Sequence, residues 1–591
     1  MLGDCLRYGM NMRNKIISLA ALLAVDVAWA DITWYVVDPM SETRFMPHEA
    51  PQGGEKGGAV RLVAARGEYE PASFVLVSDS DLEKVSCEFS DLTMPDGTVF
   101  PKECLDLRIV KVWYQSGTAW FSYFQDAKMK LCPELLLHDE DLVKVDEEKG
   151  WNYARITEED GRVWYRWLNP PRSVDSRVED VGDTGHPYFV RDSFSSMKPN
   201  FRDADSFVGV SLPRGVFKQL WITAKIDKDA KPGRYSGEVK IESKAGGGHW
   251  RIPIALRVLD FELPEPCTYF DCHRRFFTRF RPYLSLNHIV GANGNDRELA
   301  KRQMVAVLRN FAEHGCRLPS YLDRYDHPEW GREAGLDFTH PLYEAGAMRL
   351  GEKVAMRYHA RRVRENLTKS IGWHNPILEW GDEYGLSTLI GIRDMVRIYS
   401  GEGFKFMTNS QAGYEGGSYM ADVWRPPFTP DNRNFETAFR VSRLDGCELG
   451  WYANQHVGVE NPAFCRRQYG YGPYRAGFTF DGNYALNIQG WNDLAGFPYR
   501  PMMTVYGVYN GCLDTIAWEG FREGVDDIRY ATLLQRLAHG LTKSDKLDAR
   551  YEAKKSLGLL ANADKDDMDL TTLRLEMIEH ILKMKEFGEE R

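Results

Sequence analysis

The stretch from Asn375 to Gly385, Asn-Pro-Ile-Leu-Glu-Trp-Gly-Asp-Glu-Tyr-Gly, carries two adjacent carboxylates, Asp382 and Glu383. Neighbouring carboxyls repel, and the repulsion lets one of them keep its proton near neutral pH and act as an acid. Cleavage of a glycosidic bond needs such an acid, together with support for positive charge at the anomeric carbon. Most enzymes of this kind use two carboxyls about 5 to 9 Å apart on opposite sides of the bond. Adjacent residues rarely straddle a substrate in that way. They suit the substrate-assisted variant, in which the sugar's own 2-acetamido oxygen attacks, one carboxylate orients the acetamide and the next is the acid and later the base. An acidic pair is also what the dipole of any helix start favours, with no catalysis implied.

The elements around the pair bear on that choice. Ile377-Leu378 is a short apolar run before the acids, and a helix-like segment runs from Leu386 to about Tyr399 after them. This spacing predicts a β-strand ending in carboxylates before a βα turn, the place where β/α barrels keep their chemistry. Further strands are expected over Tyr269–Phe277, with His273 and Arg274 at its end, and over Arg317–Tyr321 and Phe404–Asn409. More are expected over Glu448–Asn454, Ala476–Asp481 and Ala485–Asp493. Helices are expected over Asp296–His314, capped by Asn295 and stopped by Gly315, over Val354–Ile371, strongly basic and read as a solvated face, and over Asp514–Leu537, capped by Thr515. Alternation of this kind over roughly 250 residues predicts a (β/α)8 TIM-like barrel across residues 267–540, with C-terminal helices over 541–591 packing on it.

The strand ends supply the remaining candidates. Tyr452 could hydrogen-bond an acetamide and Trp491 could floor a pocket. Asn409, Asn454 and Asn492 could read hydroxyls, as could His273 and Arg274. Trp380 and Tyr384 flank the acids as further substrate-binding candidates. For each, barrel packing or loop support is the plainer alternative. Glu519, Arg522, Glu523 and Asp526 share one helix, where ion pairing that locks the helix is expected in preference to catalysis.

The first half reads differently. From Asp31 to Pro266, short apolar runs are broken by Gly and Pro, as in Val60–Val77, Cys104–Tyr114, Gln219–Ile226, Ser236–Ile241 and Trp250–Leu259, which predicts an N-terminal β-sandwich over residues 31–266. An irregular section from Ser122 to Asp205 carries Asp139, Glu140, Asp141, Asp146, Glu147 and Glu148, expected to form a solvated loop and lacking EF-hand spacing. Phe261 to Pro266 is a proline-stiffened linker.

The formal charge of -10 over 591 residues gives no general attraction to nucleic acid or anionic membranes. Ten cysteines without CxxC pairs argue against a disulfide framework and a zinc site, and no nucleotide-binding glycine loop is present, so no metal or cofactor is expected. Arg13 and Lys15, the apolar run Ile16–Val25 and Ala28-Trp29-Ala30 predict a signal peptide over residues 1–30 and export to the periplasm or beyond, although Asp26 is unusual there. No other stretch is long and apolar enough to span a bilayer. The oligomeric state is left open.

Several segments also resemble a known family. Lys218–Thr223, Asp229–Gly237 and Leu256–Pro264, together with Ala65–Glu70, look like the N-terminal β-sandwich of glycoside hydrolase family 123 and its bacterial relatives. Phe521–Tyr530, Phe-Arg-Glu-Gly-Val-Asp-Asp-Ile-Arg-Tyr, resembles a signature near the C-terminus of that family's catalytic region. The matches stand in the family's order and span most of residues 60 to 535. The resemblance implies a glycan substrate and exo-acting β-N-acetylgalactosaminidase activity through an adjacent Asp-Glu pair, with Glu383 as acid/base and Asp382 orienting the 2-acetamido group. Family 20 hexosaminidases use a similar pair. The chain departs from the pattern in placing Trp380-Gly381 before the pair and Tyr384-Gly385 after it, where aliphatic residues and Pro are expected. An exo-glycosidase for a non-acetamido sugar, or a non-catalytic carbohydrate-binding protein, would use the same scaffold.

Overall fold

Two β-sheets stacked face to face occupy the first half of the chain. The computed structural model describes residues 31–116, 129–158, 160–168, 177–178, 188–189, 201–243, 248–280, 286–317, 328–338, 352–372, 377–382, 385–409, 423–424, 435–450, 461–483, 504–564 and 567–589. The strands of this half are β1 (Ile32–Val37), β2 (Val60–Arg66), β3 (Tyr69–Ser78), β4 (Leu82–Phe89), β5 (Leu105–Ser116) and β6 (Met129–Leu137). They continue with β7 (Val143–Asp146), β8 (Trp151–Thr157), β9 (Val163–Trp167), β10 (Lys218–Lys225), β11 (Gly233–Ser243) and β12 (His249–Glu262). One sheet runs Glu55–Lys56, β1, β3, β10, β5, β6, antiparallel throughout. The other runs Val210–Leu212, β4, β11, β12, β2, with β12 and β2 parallel. Leu62, Phe74, Leu76, Leu220, Ile222 and Ile254 fill the space between them.

The sheet containing β10 is buried on both faces, so Leu220, Trp221 and Ile222 are all buried although only alternate residues point inward. On its outer face Trp221 packs with Met40, Val110, Leu136 and Ile516. Leu136 N also donates to Asp514 O at 3.0 Å. The second half of the chain is thus seated directly on the sandwich. A hairpin from that half, Tyr506–Val508 and Gly511–Leu513, adds Tyr506, Val508 and Leu513 to the sandwich core.

Among its described residues, the acidic section read as a solvated loop is in part structured. β7, β8 and β9 form an antiparallel sheet. Asp139 pairs with Arg155 at 2.7 Å, and Glu140 pairs with Lys218 while its Oε1 accepts from Ser211 N at 2.6 Å. Asp139 and Glu140 thus anchor β8 and β10, a use that their spacing in the sequence does not show, while Asp141, Glu147 and Glu148 are exposed as expected.

After the linker, β13 (Cys267–Thr268) and β14 (Asp271–Arg275) form an antiparallel pair, and β15 (Phe277–Phe280) begins a parallel system. Its other strands are β16 (Ile377–Asp382), β17 (Lys405–Asn409), β18 (Val423–Trp424), β19 (Glu448–Leu449) and β20 (Phe480–Asn483). Their order is β16-β17-β18-β19, then β20 through a parallel bridge between Gly450 and Phe480, then β15. Among the described residues the expected eight-stranded barrel is a six-stranded parallel arc. The arc is curved: Phe277, Ile377, Met407 and Phe480, from four different strands, form one small cluster on its inner side. Leu378 and Phe406, of opposite phase, join the larger core with Leu389, Ile392 and Met395 from the helix layer.

The helices of this half include α1 (Arg297–Glu313), α2 (Lys353–Ile371), α3 (Leu386–Gly401) and α4 (Phe435–Asp445). They end with α5 (Ile516–Leu541), α6 (Leu547–Asn562) and α7 (Leu570–Glu589), a C-terminal helical segment. The cap of α1 is Asp296, whose carboxylate accepts from Leu299 N at 2.9 Å. The expected Asn295 cap lies one residue outside, at a positive φ of 72°. α5 starts as expected, with Thr515 Oγ1 accepting from Trp518 N at 3.2 Å.

α5 is buried along most of its length. Gly520 and Gly524 let another backbone touch it: a Cβ at Gly520 would lie 2.2 Å from Pro462 O, and one at Gly524 would lie 2.4 Å from Arg466 O. The charges beside them are neutralised in pairs. Arg466 holds Asp527 at 2.7 and 2.9 Å, and Arg574 of α7 holds Asp527 at 2.7 Å and Glu523 at 2.5 Å. Arg574 also lies 3.5 Å from Glu70 and 3.9 Å from Glu68 in the sandwich. Sandwich, linker and C-terminal helices therefore converge on one face of α5.

Candidate active site

Strand β16 delivers the acidic stretch. Its register with β17 runs Ile377 to Lys405, Leu378 to Phe406 and Glu379 to Met407, then slips by one residue so that Asp382 partners Asn409. Without the slip Gly381 would partner Asn409; with it, Asp382 does. Asp382 and Asn409 thus stand side by side at the carboxyl ends of neighbouring parallel strands. Trp380 lies in the slipped segment of β16. Glu383, Tyr384, Tyr452, Asn454, Trp491 and Asn492 lie outside the described residues.

Two positions that sequence periodicity missed share the carboxyl ends. Trp424 closes β18, and Asn483 closes β20 in register with Phe280. A two-residue strand such as β18 carries no readable periodicity. Directly beneath this edge, the Phe480 ring fills the space over Gly450, where an added Cβ would lie 1.7 Å from the ring. The inner floor is therefore apolar and closely packed.

His273 and Arg274 do not join this edge. They sit on β14, which precedes the first parallel strand and pairs antiparallel with β13. Arg274 Nη2 is 2.6 Å from Glu448 Oε1, and Lys405 Nζ is 3.6 Å from the same atom. Glu448 and Lys405 open β19 and β17, so Arg274 marks the amino end of the arc. The strand expected over Tyr269–Phe277 covers β14 and stops at the first residue of β15, where the parallel system begins.

Asp481 in β20 is fully buried, and among the described residues neither carboxyl oxygen has a hydrogen-bond partner. Burial pushes its carboxyl well above the usual range. It alternates with Phe480, and its charge bears on Tyr469, which packs against Phe521 of α5. It belongs to the helix side of the wall, apart from the inner cluster.

A second polar centre lies where α1, α5 and the sandwich meet. His314 Nε2 is 3.2 Å from Glu519 Oε1, Arg522 pairs with Glu519, Arg108 Nη1 is 2.6 Å from Asp514 Oδ2, and Asn310 Nδ2 is 2.6 Å from Asp514 Oδ1. Burial alone would raise the Glu519 carboxyl, but Arg522 and His314 outweigh it and bring it down to about 2. Oxygens and nitrogens of His314, Asp514 and Glu519 lie within 4.8 Å of one another. Two guanidiniums already satisfy the carboxylates, so this donor set does not fit a divalent cation. Cavities of about 240 and 270 Å³ flank this centre and share Tyr69, Glu313 and Arg522. The first is also lined by Pro266 and Gly315, the second by Arg108 and Thr223 of the sandwich, and neither includes Asp382 or Asn409.

No family model matches the chain, and no curated protein matches it by sequence. Among solved structures, a family 123 glycoside hydrolase from Clostridium perfringens, studied for glycolipid glycan hydrolysis, is similar over 95% of this chain and 99% of its own, at a TM-score of 0.60 and 11% identity. The two chains share a fold from end to end. This is the architecture of a sheet-rich half followed by helices and parallel strands with a C-terminal helical segment. β-Glucuronidases from Bacteroides uniformis (80% of this chain, 51% of that one, 10% identity, TM-score 0.26) and Parabacteroides merdae (77% and 66%, 10%, 0.27) align too loosely to carry an argument.

Proposed function

We propose that this protein is an exported glycoside hydrolase that removes β-linked N-acetylhexosamine, N-acetylgalactosamine favoured, by substrate-assisted retaining catalysis. One observation carries the reading. Asp382 ends a parallel strand in register with Asn409, within a fold shared along its whole length with a family 123 glycoside hydrolase. In this reading the six strands belong to a (β/α)8 barrel whose mouth is their carboxyl edge. Asp382 orients the 2-acetamido group and stabilises the oxazolinium-like charge as it forms. Glu383, the next residue, protonates the leaving oxygen and then activates water. The negative charge of Asp382 raises the pKa of Glu383, which keeps it protonated for the first step. Asn409 binds a hydroxyl or the acetamide beside Asp382.

The test is hydrolysis of 4-nitrophenyl β-N-acetylgalactosaminide by the chain from Asp31 onward, beside Glu383→Gln and Asp382→Asn. Turnover that falls about a hundredfold or more in both variants supports the reading. A folded parent that turns over neither this substrate nor its glucosamine analogue would falsify it.

A further inference from the structure

We infer that the outer face of the helix pair α2–α3 is a docking surface for an anionic polysaccharide, a polymer whose sugars carry sulfate or carboxylate groups. The inference is independent of the bond cleaved at the strand ends. α2 carries Lys353, Arg357, Arg361, Arg362, Arg364 and Lys369 against a single acid, Glu365, in a chain of net charge -10. Every one of these cations is exposed, as are Arg393 and Arg397 on α3.

The two helices run side by side, with Lys353 2.8 Å from Asp394, His359 Nδ1 2.7 Å from Tyr399 Oη and Arg361 2.9 Å from Glu402. These contacts set Arg357 level with Arg397 along the helix axes. Arg357, Arg362, Lys369, Arg393 and Arg397 form no ion pair among the described residues. Like charges at helical spacing, as in Lys353–Arg357–Arg361, repel one another and carry a cost for an isolated helix. A polyanion lying along the face removes that cost.

The apolar side chains narrow the occupant to a sugar polymer. Val354 is 77% exposed, Tyr358 69% and Ile390 54%, all toward the amino ends of the two helices. In an αβ unit these ends lie on the same side as the strands' carboxyl edge. Tyr358 lies one helical turn before Arg361 and Arg362, so its exposed ring offers a face for a pyranose ring beside guanidinium forks for its sulfate or carboxylate. The fields of exposed charges reach only about 8 to 10 Å at ordinary salt, so the overall acidity of the chain does not cancel the patch.

The experiment measures binding of chondroitin sulfate to the full chain at two salt concentrations. Comparators are the triple variant Arg357→Glu/Arg362→Glu/Arg397→Glu, the single variant Tyr358→Ala, and Lys554→Glu/Lys555→Glu on the exposed side of α6 as a charge-reversal control away from the patch. Salt-sensitive binding is expected, falling at least about tenfold in the triple variant and severalfold in Tyr358→Ala, with the α6 control unchanged. Thermal melting verifies folding, and the milder Arg357→Gln/Arg397→Gln is read in the same way if the triple variant melts early. Absence of binding by the parent, or equal binding by the folded variants, overturns the inference. So does duplex DNA binding as tightly as the glycan with no effect of Tyr358→Ala. A parent dimer that the triple variant dissociates, with no glycan bound, would assign the face to a second copy of the chain instead.

Discussion

Asp382 lies opposite Asn409 because β16 slips one residue against β17 just before the acidic pair. Adjacent positions on parallel strands share solvent and substrate, so changes at the two should not act independently. A double-mutant cycle on kcat/KM with Asp382→Asn and Asn409→Ala is expected to show a coupling of about 0.5 to 3 kcal/mol. Strict additivity would mean that the two residues serve different parts of the substrate.

The opposite expectation holds for His273 and Arg274. Both belong to the amino end of the arc, where Arg274 pairs with Glu448 while half exposed. His273→Ala and Arg274→Ala should leave kcat/KM within about twofold of the parent, and an exposed pair of this kind contributes about 0 to 1 kcal/mol to stability. A large loss of activity in either would place them back in the site.

Gly524 should tolerate no side chain. An added Cβ would lie 2.4 Å from Arg466 O and 3.1 Å from the Gly470 Cα, both of them backbone atoms. Gly524→Ala is expected to cost about 3 kcal/mol or more, or to prevent folding, despite the helix propensity of alanine. Urea denaturation would show it as a lower midpoint. The exposed Gly540, which has nothing within 4 Å of an added Cβ, is the control where Ala should be neutral or stabilising.

Arg574 answers the carboxylates of Asp527 and Glu523 from a buried position. Arg574→Met would leave those acids with too few cations, and unpaired buried charges of this kind cost about 3 to 5 kcal/mol. The loss should appear in melting of the whole chain, since Glu68 and Glu70 of the sandwich face the same guanidinium.

Glu68 makes the interlock pH-dependent. Burial first, then the charge of Asp526, pushes its carboxyl up from 4.5 to about 8, while Tyr530 donates to it at 2.7 Å. The folded state therefore keeps a proton that the unfolded chain has released. Stability from this group is complete below pH 4.5 and declines as pH rises to about 8, at up to about 1.4 kcal/mol per unit. Glu68→Gln should flatten that decline, so its melting temperature gains on the parent between pH 5 and about 8. Parallel curves for the two proteins would show that Glu68 does not carry the proton.

Much of the fold was legible locally. Period-two apolar runs marked the strands of the sandwich, Gly315 marked the end of α1, and Thr515 marked the start of α5, because alternation, left-handed backbone and capping each depend on residues within a few positions of one another. The same locality made Asp382 visible as the end of a strand and made Asn409 visible as the end of the next. Local pattern misled where β14 was expected to be the first parallel strand, although β15 right after it takes that place, which put Arg274 at the wrong end of the arc. It also misled where acids were matched by distant cations, as with Glu140 and Lys218.

The sequence by itself marked the sandwich strands, the long helices α1, α2, α3 and α5, and the end of β16 at Asp382. The tertiary structure alone decided that β16 slips to bring Asp382 beside Asn409, and that Arg574 meets Asp527 across 47 residues and Glu70 across 504. Register and buried charge pairing are settled when separate elements close on one another. Their energies depend on partners that no short window of sequence contains.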